Sequence, residues 1–469
     1  MRTRSFLALL PLVLAGCMVG PNYKRPAIAT PAGFRAPEPL PPDQAASLAD
    51  LKWFQVFKDQ QLQDLIRTAL VRNYDLRDAV ARVEAARASL GITRSDQLPN
   101  VAAGGAVEFN RLSRHGATPV PQAFLPNQNR TFGTAVLQLL SFEIDIWGRL
   151  RRATEAARAN LLSAEAARKA VLTTLVGDVA TSYLTLRELD YELEISRQTL
   201  KTREESLSLT KQRQNGGVST RLDLRQAEQL VYTAAETIPA TQQQIEQREN
   251  QITLLLGENP GGVARGRSFT DQDLPPDVPP GLPSALLERR PDIRAAEEDL
   301  VAANAEIGVA RTAYFPRITL SGFLGGASTQ LSGLFSGPSS TWSAVPQVTQ
   351  PIFTAGRIKS GVRLAQAERD HALVQYEKVI QTAFTEVSDA LIAHQRTSQS
   401  REKQELLVAA LEDRLRLAYM RYRGGVDTQL NALDADRDLF SGQLTLAQLR
   451  LQEILSVVQL YKALGGGWQ

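Results

Sequence analysis

The chain has 469 residues, with 53 Lys or Arg and 50 Asp or Glu, so its formal net charge is only +3. Basic and acidic residues alternate along it, and this balance gives no reason to expect a nucleic-acid-binding protein. Its single cysteine, Cys17, excludes an internal disulfide and a thiolate metal cluster, and the three histidines are too scattered to suggest a metal site.

Residues 1–16 have the three parts of a secretory signal: a basic start, an apolar stretch and small residues at the end. The sequence Leu14-Ala15-Gly16-Cys17 resembles a bacterial lipobox, which implies cleavage before Cys17 and lipidation of this residue. A simple signal peptide followed by an incidental cysteine is the alternative. Beyond this covalent lipid on Cys17, no cofactor is expected. Met18, in place of aspartate, favours sorting to the outer membrane by resemblance to bacterial lipoproteins.

A proline-rich segment follows over residues 17–60, and its prolines predict an extended rather than helical chain. Beyond the signal peptide, no run approaches the roughly 20 apolar residues that a membrane-spanning helix requires. If this protein crosses a membrane, strands must do it.

Two Gly-Gly pairs mark an internal duplication. Gly216-Gly217 and Gly424-Gly425 each end a helical pattern, and they match at one offset (424 − 216 = 208). Glycine supplies the positive φ that a helix C-cap needs, and Asp427 or Thr428 is a suitable N-cap for the helix after the second pair. Further matches at this offset are Val218, Thr220, Leu222 and Ala227 with Val426, Thr428, Leu430 and Ala435.

The first half of each copy matches at a larger offset. Pro99 corresponds to Pro316 (316 − 99 = 217), whereas Gly148 corresponds to Gly356 at 208. The second copy therefore lacks nine residues between these markers (217 − 208 = 9), as is typical of a surface loop. The predicted domains are a first repeat over residues 61–256, a linker over 257–283, a second repeat over 284–464 and a tail over 465–469.

Between these markers the pattern changes from helical to strand-like. Over residues 131–147 the even positions are mostly apolar, as in a strand with one apolar face, and a shorter stretch before them supplies a partner. The predicted hairpins span about residues 99–147 and 316–355. The second has weaker support, because Pro346 and Pro351 disfavour a central strand.

Each hairpin is followed by a long helical pattern, over residues 149–214 and 357–422. Each would extend about 100 Å at 1.5 Å per residue. Apolar residues recur at threes and fours, which predicts lengthwise packing as coiled coils, and shorter helices over 220–256 and 428–464 return antiparallel. The four strands of one chain cannot close a membrane barrel, which needs about eight, so several chains must combine their strands.

This order of hairpins and paired long helices resembles the TolC-like outer-membrane factors of tripartite efflux systems. Residues 17–26, CMVGPNYKRP, resemble the N-terminus of their NodT-like efflux lipoprotein branch. The other specific stretch runs from RYRGGV to LDA over residues 421–435. The resemblance covers essentially the whole mature chain.

The resemblance implies a mainly α fold with a β-barrel contribution: a homotrimer with a twelve-stranded outer-membrane barrel and long antiparallel helices that form a periplasmic α-barrel. The chain would be lipid-anchored in the cell outer membrane, in contact with its lipids, and would extend into the periplasm. It would be a passive exit duct for small molecules such as drugs and toxic compounds. Its partners would be a periplasmic adaptor (membrane fusion) protein and an inner-membrane proton-driven efflux pump.

The resemblance also implies a periplasmic gate near the Gly-Gly turns, which would form the tip where the tunnel is closed at rest. Asp434 matches the constriction aspartate of the family, and Leu430 matches an apolar residue one turn earlier. Their i, i+4 spacing puts both on one helical face, so a trimer would stack a leucine ring, which obstructs water, and a carboxylate ring, which favours cations. Three carboxylates held close would bind protons more readily, so the closed state would be pH-sensitive. Some members carry a second aspartate where this chain has Asn431, so weaker cation affinity is expected.

Three further residues are candidate gate links. Tyr422 and Asp223 match positions that join neighbouring helices in related proteins, and Arg437 lies near the same turn, where it could pair with a carboxylate. Glu143 and Asp145 would line the lumen where barrel meets tunnel. The alternative for each is an ordinary solvated residue.

Three other functions remain open at this point. An enzyme is one, but the chain has no P-loop, H-E-x-x-H or G-x-S-x-G motif. A purely structural periplasmic coiled-coil lipoprotein is another, and it predicts no strand pairs. The third is the exit duct of a protein-secretion system, because the sequence of a passive duct says little about its cargo.

Overall fold

A computed structural model describes residues 18–36, 48–111, 129–272 and 283–466. The signal peptide, Cys17 and most of the loop inside the first hairpin lie outside the described residues. The chain is mainly helical with one four-stranded antiparallel sheet, which confirms the predicted fold class. The elements are α1 (Trp53–Val56), α2 (Gln60–Arg72), α3 (Tyr74–Ser95), β1 (Val101–Arg111), β2 (Asn129–Glu143), α4 (Arg149–Asn215), α5 (Arg221–Leu255), α6 (Pro283–Arg289), α7 (Pro291–Thr312), β3 (Arg317–Ser328), β4 (Ser340–Thr349), α8 (Arg357–Arg423) and α9 (Gln429–Ala463).

The sheet has the order β1-β2-β3-β4, so both predicted hairpins form and pair with each other through β2 and β3. Pro346 lies within β4, opposite Leu320. A proline is tolerated there because β4 is an edge strand of this sheet, where one side needs no N–H donor. The strand pairs exclude the purely coiled-coil alternative.

β2 ends at Glu143, four residues before the predicted end at position 147. The apolar alternation continues to Ile146, but the carboxylate of Asp145 accepts hydrogen bonds from the backbone N–H groups of Leu150 (3.1 Å) and Arg151 (3.0 Å). These groups lie in the first turn of α4, where backbone donors have no partner within the helix. The chain leaves the sheet early because Asp145 already caps the next helix.

A β-bulge accounts for one of the nine residues by which the repeats differ. The cross-strand pairs that establish this are Val101 with Leu139 in the first copy and Ile318 with Val348 in the second. Leu139 and Val348 are therefore equivalent at an offset of 209 (348 − 139), whereas the offset at Gly148 and Gly356 is 208. The extra residue lies where the pairing of β2 with β3 shifts, between Leu139 and Phe142. The other eight belong to the hairpin loop, as predicted.

Two helices of 67 residues, α4 and α8, and two of 35 residues, α5 and α9, confirm the predicted long helices. At 1.5 Å per residue the longer helices each extend about 100 Å. Within the described ranges, no helix is both long enough and apolar enough to cross a bilayer.

The chain divides into two compact units. The first contains the sheet, the helix ends next to it and the N-terminal residues up to Pro26. Its helices approach closely through small side chains, which form one buried cluster of Ala156, Ala159, Ala302 and Ala305. The second unit contains both Gly-Gly turns and most of the long helices, and it buries larger side chains completely: Tyr183, Ile252, Tyr376 and Ile380.

Residues 18–25 form an N-terminal strap within the first unit. Arg152, which is 1% exposed, donates hydrogen bonds to the carbonyls of Val19 and Gly20, both at 3.3 Å. Gly20 has a φ of +103°, and a Cβ there would lie 2.5 Å from the Cα of Gly308. A buried cation and a close backbone contact therefore hold the strap in place.

Candidate functional site at the helix turns

The two Gly-Gly turns have the same backbone hydrogen-bond pattern. In each, the second glycine is left-handed, with φ of +75° at Gly217 and +74° at Gly425. Its N–H bonds to the carbonyl three residues earlier, and the next N–H bonds to the carbonyl five residues earlier, which satisfies the last carbonyls of the helix. These bonds, at 2.9 to 3.1 Å, are Gly217 to Gln214, Val218 to Arg213, Gly425 to Tyr422 and Val426 to Arg421.

A carboxylate caps the helix after each turn, but in two different ways. Asp223 forms a capping box with Thr220: its carboxylate accepts from the Thr220 N–H (2.8 Å), and its own N–H donates to Thr220 Oγ1 (3.1 Å). After the second turn Thr428 is the N-cap, yet the capping carboxylate is that of Asp427, which accepts from the Thr428 N–H at 2.8 Å. The bond from the Thr220 backbone lowers the pKa of Asp223, and the hydrogen bond from Arg421 lowers the pKa of Asp427.

The predicted gate residues lie in the first turns of α9. Leu430 is 46% exposed, and the side chain of Asp434 is 36% exposed. Arg437 places Nη1 3.3 Å from Asp434 Oδ1 and Nη2 3.3 Å from Asp438 Oδ1. The structure thus brings Asp434 and Arg437 together on one helix, where the guanidinium offsets part of the negative charge.

Tyr422 and Asp223, the other two candidate links, contact different partners. The hydroxyl of Tyr422 donates to Gln429 Oε1 (3.2 Å), and Gln429 Nε2 donates to Thr210 Oγ1 (2.7 Å). The guanidinium of Arg213 lies over the Tyr422 ring at 4.7 Å. Tyr422 therefore links α8 to α9 and to α4 of the first repeat, whereas Asp223 caps its own helix.

Four polar residues of α4 make contacts with the second repeat, and we call them the polar seam: Arg203, Ser206, Thr210 and Arg213. Their spacing of three and four residues keeps them on one helical face. Their partners are, in order, Asp436, Tyr419, Gln429 and Tyr422. Polar residues in a helix–helix seam specify the register at a cost in stability.

The most buried contact of the polar seam is the ion pair of Arg203 and Asp436, with 2.6 Å between Nε and Oδ2 and side chains only 3% and 11% exposed. Arg203 also donates to the carbonyl of Leu230 (2.9 Å) and lies over the ring of Phe440 at 4.9 Å. Its Nη2 has no hydrogen-bond partner among the described residues. Burial raises the pKa of Asp436, and the arginine opposes this rise. Sequence reasoning missed the pair because its members are 233 positions apart.

Another buried carboxyl group lies on α4. Glu188 is 3% exposed, and its Oε1 has no hydrogen-bond donor within the part of the chain that the structure describes. Burial, with a smaller contribution from the neighbouring Glu192, raises the pKa of Glu188 to about 9. Glu192 accepts a hydrogen bond from Gln448 Nε2 at 3.0 Å. Glu188 is therefore protonated at neutral pH.

The remaining predicted residues have structural partners. Glu143 binds Arg149 at 2.8 Å and Arg317 at 2.6 Å, and Asp145 caps α4. Cys17, the predicted lipidation site, lies outside the described residues. Across the described ranges, no group of three or more His, Cys, Asp or Glu side chains is placed to hold a metal ion.

Comparison with known proteins places these features in a family. The family described as Outer membrane efflux protein matches residues 65–258 and 282–466. The chain is 40% identical over 465 residues to the probable efflux pump outer membrane protein TtgC of Pseudomonas putida, covering 98% of this chain and 95% of that protein. It is 39% identical, with the same coverage, to the toluene efflux pump outer membrane protein TtgC of another Pseudomonas putida strain.

A solved structure has the same fold. The open state of the MtrE outer membrane channel of Neisseria gonorrhoeae matches with a TM-score of 0.87 and 32% identity, over 97% of this chain and 99% of that chain. Similarity in sequence and in structure extends over both repeats, which confirms the resemblance to TolC-like channels. The chain belongs to the outer membrane efflux protein family.

Proposed function

We propose that this protein is the outer-membrane exit duct of a tripartite efflux system, through which small molecules leave the cell passively. The observation that carries this proposal is the whole-length similarity to efflux pump outer membrane proteins, in a chain whose two repeats each join a strand pair to a 67-residue helix. A duct positions no reacting groups, so we propose that the protein is not an enzyme.

We propose that three copies form one duct. The described part of one chain has four strands, two of them edge strands. Unpaired strand edges are not tolerated in lipid because each unsatisfied backbone group costs several kcal/mol there. Three copies would supply twelve strands (3 × 4) and leave no edge.

We propose that lipidated Cys17 anchors the duct, which would receive its cargo from a periplasmic adaptor and a proton-driven inner-membrane pump. The strap supports the anchor: Met18 packs on Gly148, where a Cβ would lie 3.1 Å from Met18 Cγ. Met18 directly follows Cys17 in the sequence and belongs to the strap, whose contacts hold it against the first unit. The relative named as a toluene efflux pump protein supports apolar organic molecules as cargo.

Leu430 and Asp434 are our proposed gate, with Tyr422, Arg437 and the polar seam as the links that hold the helices around it. Their position next to a Gly-Gly turn and their partial exposure support this role. In a trimer, Asp434 would form a carboxylate ring whose preference for cations Arg437 moderates.

Conductance of the purified protein in planar lipid bilayers tests both the proposed duct and the proposed gate. Asp434→Ala is expected to raise the conductance and weaken the cation preference, because it removes the carboxylate ring. Asp413→Ala is the matched control, since Asp413 also pairs with an arginine three residues away, Arg416, but lies before the turn on α8. We expect this control to conduct like the wild type.

Different results would contradict the proposed duct and the proposed gate. A purified trimer that never conducts would contradict the duct itself. A conducting trimer in which Asp434→Ala leaves both conductance and ion preference unchanged would contradict only the gate.

A further inference from the structure

A polar cavity of about 430 Å³ lies between α4, α5 and α9 in the second unit. Most of its lining residues carry a side-chain oxygen: two carboxyl groups on α4, the amides of three glutamines on α5, and one glutamine on α9. These residues are Glu188, Glu192, Gln244, Gln247, Gln251 and Gln448. Glu188 is buried whereas the four glutamines are exposed, so the cavity leads from the surface to a buried carboxyl group.

Glu188 and Glu192 lie four residues apart and therefore share one face of α4. Burial, followed by the negative charge of Glu192 and a hydrogen bond between the two side chains, raises the pKa of Glu188 to about 9. At neutral pH this carboxyl pair therefore holds one proton and carries one negative charge. Glu192 accepts a hydrogen bond from Gln448, whereas Glu188 Oε1 has no donor among the described residues. A buried acceptor without a donor costs free energy, which favours a ligand that contacts this oxygen.

The charged groups around the cavity do not neutralise the carboxyl pair. The only basic residue of the described lining is Arg248, whose Nη1 donates to Gln251 Oε1 at 2.6 Å. Neither carboxyl group forms an ion pair with a lysine or arginine within the described ranges. Both therefore remain available to a cation from solution.

The fold does not by itself require a carboxyl group at these positions. The repeat offset converts Glu188 into Arg396 (396 − 188 = 208) and Glu192 into Ser400 (400 − 192 = 208). Arg396 is exposed and donates to Gln399 Oε1 at 2.9 Å. The second repeat thus forms the same 67-residue helix without either carboxyl group, and the polar cavity is a feature of the first repeat.

We propose that the polar cavity binds a calcium ion, with the carboxylates of Glu188 and Glu192 as ligands and glutamine amide oxygens and water completing the shell. Calcium takes six to eight oxygen ligands from carboxylates, amides and water in flexible geometry, whereas magnesium demands a near-ideal octahedron. Oxygens contributed by three separate helices fit calcium better. Because the site has only two carboxylates, we expect a Kd of about 10⁻⁴–10⁻³ M, as in other calcium sites of low affinity.

Binding would exchange one proton for one metal ion. Glu188 would release its proton to solvent, and its oxygens, including the Oε1 that lacks a donor, would become ligands. The charge of the site would change from −1, with the shared proton, to zero, with two carboxylates and one divalent cation. Because the ligands must be deprotonated, the affinity should rise about tenfold for each pH unit below pH 9.

Isothermal titration calorimetry of the detergent-solubilised protein, freed of metal by a chelator and then titrated with calcium chloride, tests the site. The wild type should release about one proton per bound ion at pH 7, counted from the difference in heat between two buffers of unequal ionisation enthalpy. The apparent Kd for calcium should fall about tenfold from pH 7 to pH 8. Magnesium should bind more weakly at both pH values.

Matched variants show which carboxyl groups bind the ion. Glu188→Gln should weaken calcium binding at least about tenfold and abolish the proton release, since the amide holds no exchangeable acid proton. Glu192→Gln provides a second test at the other carboxyl group, and helical circular dichroism checks that each variant is folded. Glu194→Gln, an exposed change on the same helix, should bind like the wild type. Repeating the titrations in an Asp434→Ala background removes the carboxylates of the proposed gate as a second cation site.

Three outcomes would overturn the proposal. The first is a wild type that binds no calcium at concentrations about tenfold above the expected Kd. The second is calcium binding with proton release that stays unchanged in Glu188→Gln and in Glu192→Gln. The third, tighter binding of magnesium than of calcium, would contradict the choice of metal. None of these measurements depends on conductance, so the proposed duct is tested separately.

Discussion

At the residue scale, the ion pair of Arg203 and Asp436 is the most deeply buried contact of the polar seam. Both side chains are almost completely buried, and Arg203 already has one nitrogen without a partner among the described residues. A buried ion pair gains little over an apolar pair of similar volume, but removing one partner leaves an uncompensated charge in the interior. The ion pair of Arg203 and Asp436 therefore joins the first repeat to the second, and removal of either side chain should lower the stability of the protein.

Replacing Asp436 by alanine should lower the stability of the detergent-solubilised protein by about 3–5 kcal/mol, because Arg203 would remain charged and buried. Denaturant or thermal unfolding measures this change. The double variant Arg203→Met/Asp436→Leu should recover most of the loss, since no buried charge remains. Asp413→Ala, which breaks an exposed pair, should cost less than about 1 kcal/mol. Equal losses in Asp436→Ala and Asp413→Ala would contradict this account.

Glu188 should make stability depend on pH. Its pKa in the folded chain is about 9, above the usual value of 4.5, so the fold favours the protonated form. The contribution of this group is fully present below about pH 4.5 and is lost progressively as the pH rises from 4.5 to about 9, so most of it is already lost at pH 8. Glu188→Gln, which stays neutral, should therefore raise the thermal midpoint above that of the wild type at pH 8 and leave it unchanged at pH 4.5.

The exposed Glu194 on the same helix provides the control for this experiment. Glu194→Gln should not change the pH dependence of the midpoint. If both variants gave the same pH profile as the wild type, Glu188 would have to be ionised in the folded protein, contrary to its burial.

Some side-chain contacts could be predicted from the sequence and others could not. The capping role of Asp223 is local, since a threonine three residues before an acidic side chain is a capping box. The placement of Leu430 and Asp434 on one face followed from their spacing. The partners of Arg203 and Tyr422 were not readable, because long-range pairs between helices leave no periodic signal in one sequence.

At the element scale, each Gly-Gly turn needs only its second glycine in the left-handed conformation. Gly217→Ala should lower stability by about 1–2 kcal/mol, because a Cβ is disfavoured at positive φ. A Cβ at Gly217 would meet no atom of the described residues within 4 Å, so the loss would report backbone conformation alone. Thermal unfolding followed by helical circular dichroism measures the effect.

The first glycine of the same turn is a matched control. Gly216 has no positive φ. A Cβ added to it would lie 3.5 Å from its nearest atom, which is an ordinary van der Waals distance. Gly216→Ala should leave stability unchanged or raise it by about 0.4–1 kcal/mol. A larger loss from Gly216→Ala than from Gly217→Ala would show that the turn is held differently.

The existence of the long helices and strand pairs could be predicted from the sequence, whereas some of their ends could not. Helical periodicity sustained over 67 residues leaves little ambiguity. The end of β2 depends on Asp145, whose capping bonds outweigh an apolar alternation that continues past it. The bulge was hidden because a single extra residue in a strand looks the same in sequence as one in a loop.

At the scale of the whole molecule, the duplication allowed the architecture to be predicted from the sequence, yet the two repeats have different surroundings. Met18 of the strap lies against Gly148 after the first strand pair, whereas no described residue lies within 4 Å of a Cβ at Gly356 after the second. The N-terminal segment exists once per chain, so only one of the two equivalent sites can receive it.

The bulge in β2 has a consequence for the symmetry of any closed assembly. A chain made of two near-identical halves could in principle build a ring with sixfold order from three copies. Because a bulge bends its strand and increases the local twist, the pairing of β2 with β3 differs from the pairings within each hairpin, which show no register shift. The two repeats of one chain are therefore not equivalent in the sheet, so a ring built from three copies would have threefold rather than sixfold order.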